Sequence, residues 1–327
     1  MGSIIDSFAS QLTPQVTDRI ASTAGVPPNL VAKGLGVIGP LVVGLAARSA
    51  GTPGGLPGAM NLLPSGLDVA SPGVVDDVLR ASRDGHTSSG LMNAMFGAGQ
   101  GSITRSLTRT LGFDATKLLR IGTMLMLAAI GRKVRESRLD DASMGKLLQE
   151  EHRTFLARGD ALSRSVEEAL GAGDEANQIR QRYTPHEWAS ARLAPIAAAQ
   201  VVMMSSPSGL IGVVSELSKA TEEIQRARGT AVPASLVGVL FDGEISREEV
   251  QSLTDRQVAL GIVKEGIAAV KANTPSEAKN YGNLLVDVAV RTAEASKEGG
   301  FLGYGGKRVS KEEQAAIDAI RSAAEVR

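Results

Sequence analysis

Two apolar runs set the limits on what this chain can fold into. Residues 30–48 read LVAKGLGVIGPLVVGLAAR, and residues 118–132 echo them as LLRIGTMLMLAAIGR. A helix that is apolar on most of its faces has to be covered. A membrane-spanning helix needs about 20 mainly apolar residues. The first run, taken as 30–47, is shorter than that and contains Lys33, Pro40 and four glycines; the second is shorter still. The expectation is a packed pair of buried core helices, near positions 40 and 125, that gives the N-terminal half its core. Insertion into a membrane, or association with its surface, is the alternative. Ala32, Gly36, Pro40 and Gly44 recur at every fourth position. On a helix that spacing lines small residues along one face, and such a face lets a second helix approach closely. Pro40 is expected to kink the helix or to mark its first turn after a break. Glycine lowers intrinsic helix propensity, so packing must hold this segment.

Composition narrows the function classes. The chain has 327 residues, which suggests two domains. Aromatics are 3% of it, so its core is aliphatic and base-stacking nucleic-acid recognition has little to work with. Lys plus Arg and Asp plus Glu number 35 each, so no global field draws the chain to nucleic acid or anionic lipid. With no cysteine there is no disulfide and no thiolate chemistry. The opening MGSIIDSFASQLTPQ lacks the basic-then-apolar order of a secretory signal, which sets a cytoplasmic location as the expectation.

Helical punctuation runs along the whole chain, and no segment sustains the period-two alternation of a strand. Residues 3–24 predict one or two short helices, with Pro14 in a first turn after Thr13. Residues 51–73 are rich in Gly and Pro and read as a connecting loop. Short helices follow over 74–83, 86–96 and 102–111, before the second apolar helix. Residues 19–25, RIASTAG, precede the first run as 106–112, SLTRTLG, precede the second. Each is a short helix, a Gly turn and an apolar helix, the second copy about one turn shorter, which predicts a duplicated helix–turn–helix unit. DNA binding by such a unit needs a polar recognition helix, and these second helices are apolar.

The stretch 90–132, GLMNAMFGAGQGSITRSLTRTLGFDATKLLRIGTMLMLAAIGR, resembles the bacterial YidB-like domain family of unknown function, as do the Gly-rich run and the Gly/Pro loop before it. The resemblance covers about residues 1–135 and implies an all-helical domain with no assigned catalytic residue. The cluster Arg132, Lys133, Arg135 and Arg138 at a helix end either complements the helix dipole or meets an anionic partner. A helix over 161–170 is expected to end in a turn at 171–174, the preferred domain boundary.

In the C-terminal half, Thr184-Pro185-His186-Glu187, Thr274-Pro275-Ser276-Glu277 and the motifs Ser246 to Glu249 and Ser310 to Glu313 read as capping boxes that open helices. ISREEVQSL at 245–253 is echoed by VSKEEQAAI at 309–317. With the Asp242-Gly243-Glu244 turn ahead of the first copy, this resembles the TerB-like helical domains associated with tellurite resistance, over about residues 185–327. That resemblance implies acidic residues near such turns that bind metal. The second copy departs from it through the inserted FLGYGG.

The residues themselves leave two readings for each candidate. Asp242, Glu244, Glu248 and Glu249 offer a hard cation four carboxylates; a solvated turn with a capping box explains the same residues. Gly299, Gly300, Gly303, Gly305 and Gly306, followed by Lys307 and Arg308, offer an anion backbone N–H groups and charge ahead of a helix; a tight structural turn explains the same residues. The G-K-[ST] spacing of a phosphate loop is missing there. His86, His152 and His186 have no partner at ligand spacing; Ser190 stands where a zinc-protease motif needs its second histidine.

The fold expected is all-α: two helical-bundle domains, 1–172 and 173–327, each with an internal helix-pair duplication. The function expected is a non-enzymatic structural or interaction protein, self-associating or bound to another protein, without cofactor and without nucleic acid. The alternative is a binding module for a divalent metal or a phosphate-bearing molecule.

Overall fold

The computed structural model describes residues 3–50, 56–63, 73–205, 213–232, 234–242, 245, 247–295 and 309–326. Most of the 51–73 loop, Glu244, Ser246 and the whole 299–308 segment lie outside the described residues. The chain is all-α, with no strand among the described residues. It divides into two compact units, 1–175 and 176–327.

The first unit holds α1 (Ile4–Gln11), α2 (Pro14–Ala24), α3 (Pro28–Ser49), α4 (Leu56–Asn61), α5 (Val74–Ala81), α6 (Gly85–Phe96), α7 (Gln100–Leu111), α8 (Thr116–Ser137), α9 (Asp141–Leu156) and most of α10 (Ala161–Gln181). Thr13 caps α2, its hydroxyl accepting from the Val16 N–H, with Pro14 in the first turn. Gly25 and Gly112 end α2 and α7 in the left-handed region, at φ +72° and +81°, where a side chain would be strained. Each glycine is then followed by a long apolar helix. Both of these, α3 and α8, have 22 residues, so the second is not a turn shorter. The spacing argument ended α8 too early because Arg132, Lys133 and Arg135 look like a terminus, yet they sit on its last, exposed turns.

α3 and α8 pack directly on each other. A Cβ at Gly122 would lie 2.6 Å from Ile38 Cγ2 and 2.9 Å from Leu35 Cδ2, and one at Gly34 would run into the Leu118 side chain. Glycine therefore brings the two backbones to a separation that no side chain permits. Leu35, Ile38, Leu41, Leu118, Met126 and Leu127 are fully buried around this contact. The expected stripe is displaced. Ala32 is exposed and nothing lies within 4 Å of a Cβ at Gly36, so the close approach uses Gly34, Gly39 and Gly122. A strict four-residue repeat drifts around a helix with 3.6 residues per turn, which carries Ala32 and Gly36 off the contact face. α3 continues unbroken through Pro40, which is buried.

At 22 residues, α3 is the one described helix long and apolar enough to cross a membrane, contrary to the length inferred from its sequence. Here 72% of its apolar window is buried inside the fold. α1, α2, α8 and α9 supply that cover.

The turn expected at 171–174 is helix, part of α10. Gly173 is there for packing: a Cβ on it would lie 2.6 Å from Ile103 Cδ1 of α7.

The second unit holds α11 (Pro185–Met203), α12 (Val213–Thr230), α13 (Leu236–Leu240), α14 (Arg247–Gln251), α15 (Arg256–Asn273), α16 (Ala278–Ala295) and α17 (Lys311–Ala324). Its centre is α11 against α15 and α16. Ala191, Ala194, Ala197 and Ala198 are fully buried on α11. Gly266 of α15 meets them so closely that a Cβ would lie 2.8 Å from Ala194 Cβ and 2.9 Å from the Ser190 carbonyl oxygen. The buried Tyr281 donates to the Ala191 carbonyl at 2.7 Å.

Thr184 with Glu187, and Ser310 with Glu313, form the capping boxes read from the sequence. Thr274 and Glu277 do not. Thr274 shares a 2.5 Å hydrogen bond with the Tyr183 hydroxyl, and Glu277 Oε1 accepts from the Leu236 N–H at 2.8 Å. Both side chains are taken up by distant partners, so 275–277 is a 3-10 turn and α16 starts only at Ala278. The two echoed segments also differ. The first gives the five-residue α14, because Asp255 caps a new helix soon after it, whereas the second gives the 14-residue α17.

Candidate functional site

Of the sequence-read acidic set, the structure describes Asp242, Glu248 and Glu249. Asp242 is partly buried, with its carboxylate 3.7 Å from Arg228 Nε. Glu249 lies 3.9 Å from an Arg192 guanidinium nitrogen, and Glu248 is exposed. Glu244 and the glycine-rich set Gly299 to Arg308 are outside the described residues. Among the described residues no group of three or more His, Asp or Glu side chains is placed to hold a metal ion.

The His86 side chain lies outside the described residues. His186 is exposed. His152 is half-buried. Its ring lies end-on against Gly44 of α3, where a Cβ would stand 2.7 Å from Cε1. Its Nδ1 is buried without a hydrogen-bond partner among the described residues. Burial, and then the nearby Arg48, hold its pKa below the ordinary histidine value, against the pull of Glu167. This half-buried imidazole, set against Gly44, is a packing element of the α3–α9 contact.

Three open cavities merit comparison. In the second unit, a cleft of about 320 Å³ between α12 and α16 is lined by Lys219, Glu222, Glu223, Arg226, Arg291 and Glu294. Its charges satisfy one another: Arg226 pairs with the buried Glu223, Lys219 with Glu222 at 3.0 Å, and Arg291 with Glu294 at 3.5 Å. In the first unit, a cleft of about 410 Å³ between α2 and α5 holds Arg19, Arg80 and Arg83. Arg19 is paired with Asp76, and Arg80 with Asp77.

The third is a groove beside α8, and its two ends differ in chemistry. One face of α8 carries Leu125, Ala128, Ala129, Arg132, Lys133 and Glu136, at the i, i+3, i+4, i+7, i+8 and i+11 positions of a single helical stripe. The apolar compartment, about 40 Å³, is walled by Phe8 of α1, Leu12 just after it, Val16 of α2, Val74 and Val75 of α5, and Leu125. The polar compartment, about 140 Å³, is walled by Ser3, Ser7, Arg132, Lys133 and Glu136. The two adjoin, with Gln11, Ala129 and Arg132 lining both. Arg132 Nε donates to Glu136 Oε1 at 2.8 Å, and this bond holds the Glu136 carboxyl below its ordinary pKa. Lys133 makes no direct ion pair among the described residues.

α1 forms a wall of this groove because it is tied down at its start. Glu151 of α9 accepts from the Ser3 hydroxyl at 2.7 Å and from the Ile4 N–H at 3.1 Å. Arg158 adds an ion pair to Asp6 at 3.5 Å. Ile4, Ile5 and Phe8 are buried beneath. Sequence reasoning missed this site because its walls come from four helices spread between Ser3 and Glu136. Only the basic cluster from Arg132 onward was visible.

Residues 6–133 match a family described as a bacterial protein of unknown function, DUF937. That stretch holds the apolar compartment entire, together with Arg132 and Lys133. No curated protein and no solved structure matches the chain. The match agrees with the resemblance drawn from 90–132 to a bacterial helical domain of unknown function, and it assigns no chemistry.

Proposed function

We propose that this is a non-enzymatic interaction protein, which works by binding and self-associates, with the groove beside α8 as its working surface. The observation that supports it is the groove itself: an apolar slot and a basic pocket joined at Arg132. Apolar contact supplies affinity in such a surface, and the charged end fixes orientation and suppresses wrong partners. For ancestry we propose a YidB-like first unit and a TerB-like second one.

The test is molar mass by light scattering over a range of protein concentrations. The wild-type chain is expected to gain mass with concentration. Val75→Arg, which puts a cation into the half-buried apolar wall, is expected to abolish the gain while leaving the helical circular dichroism intact. A chain that stays monomeric at every concentration and recovers no protein partner would overturn this reading.

A further inference from the structure

We propose that the groove beside α8 is a binding site for a monomeric anionic amphiphile, a medium-length acyl chain ending in a carboxylate. The proposal rests on the groove being the working surface, and it names the class of guest. Two independent features of the groove specify that class. The first is the order of chemistry along it. Moving along α8, the wall changes from Leu125 through Ala128 and Ala129 to Arg132 and Lys133, about 10 to 12 Å at 1.5 Å per residue. Only a molecule that is apolar at one end and anionic at the other matches both compartments in one pose. A free phosphate or nucleotide leaves the slot lined by Phe8, Leu12 and Val75 empty, and an uncharged hydrocarbon leaves the basic end unused.

The second feature is the state of the cations. Lys133 has no direct ion pair among the described residues, and Arg132 is held by a single carboxylate, Glu136, four residues along the same helix. Exposed pairs at this spacing contribute only a few tenths of a kcal/mol. A guest carboxylate seated beside Lys133 therefore displaces Glu136 at little cost and takes over Arg132, whose planar fork suits a carboxylate. Ser7 and Gln11 stand on the same wall as further polar groups. The slot, at about 40 Å³, takes only the end of the tail, and the rest of the chain lies along Ala128 and Ala129 toward the basic end.

The experiment uses the full-length protein, with decanoate below its micelle concentration as probe, read by thermal shift and titration calorimetry at pH 8. Decanoate is expected to raise the melting temperature in a concentration-dependent way, and decyltrimethylammonium is expected to leave it unchanged. Arg132→Gln with Lys133→Gln is expected to weaken decanoate at least about tenfold, the loss of a charge-assisted contact. Val75→Phe, which fills the slot, is expected to weaken it as well. If that variant does not fold, Leu12→Trp tests the same wall from the residue that ends α1. Glu136→Gln is expected to tighten binding by freeing Arg132, a gain that no purely structural role for these residues produces.

Absence of decanoate binding overturns the proposal, as does an equal response to the cationic amphiphile, or an affinity indifferent to all of these variants. So does flotation with phosphatidylglycerol vesicles without binding of monomeric decanoate. If decanoate fails while Val75→Arg still abolishes self-association, the guest class falls and the interaction reading stands.

Discussion

Gly122 of α8 lies so close to Ile38 of α3 that an added methyl group would sit 2.6 Å from Ile38 Cγ2. Both residues are in the buried centre of the first unit, so relief requires the two helices to part. Overpacking of this kind costs about 1–3 kcal/mol. Gly122→Ala is therefore expected to lower stability by that amount in urea denaturation. Gly36→Ala, on the same α3 but with open space around it, is expected to be neutral or to stabilise by about 0.5–1 kcal/mol, since alanine is the better helix former. The two substitutions are chemically identical, and the difference between them isolates the helix contact.

Glu277 accepts a hydrogen bond from the backbone of Leu236, 41 residues away in sequence. Glu277→Ala is expected to destabilise the second unit by about 1–3 kcal/mol, the cost of losing a hydrogen bond to a charged group and leaving the N–H unmatched. Amide hydrogen exchange is the direct readout: the Leu236 N–H should lose protection first.

His152 is held below its ordinary pKa of 6.5, chiefly by burial. A depressed folded-state value means that its contribution to stability is present above pH 6.5 and is lost as pH falls through the folded value. His152→Leu removes the titration. Its stability is expected to change less than the wild type's between pH 7 and pH 5, as followed by denaturant midpoints at each pH.

Asp287 on α16 has the opposite sign. Burial, and then the neighbouring Glu223, raise its pKa above the ordinary 3.8, against Arg226 and Arg291. A raised value means stability that is fully present below pH 3.8 and is lost as pH rises through the folded value. Asp287→Asn is expected to raise the melting temperature at pH 7, and the gain should vanish in acid as the wild-type carboxyl becomes protonated.

The helices of this chain were legible wherever a local rule decided them. Thr13 with Pro14, Thr184 with Glu187, Ser310 with Glu313, and the left-handed Gly25 and Gly112 all mark ends that depend on neighbours within four residues. The reading failed where a distant partner claimed the same side chain. Thr274 and Glu277 have the spacing of a capping box, but Tyr183 and Leu236 take their hydrogen bonds. Gly171 and Gly173 look like a turn, but Ile103 needs the space a Cβ would fill at Gly173, and the helix runs on. The α3–α8 pairing was visible as two apolar runs, although the glycines that make it were not the ones in register. The groove was invisible because nothing in 8–16, 74–75 or 125–136 alone says that those segments meet.

The loan of Glu277 to α13 also bears on the order in which the second unit assembles. α13 has five residues, fewer than a helix needs to persist by itself. One of its first-turn amides is satisfied only after the chain has closed a loop to the start of α16. α13 must then be a late arrival, set in place by a scaffold of α11, α15 and α16 that is already standing, and it should be the first piece of that unit to come loose on warming.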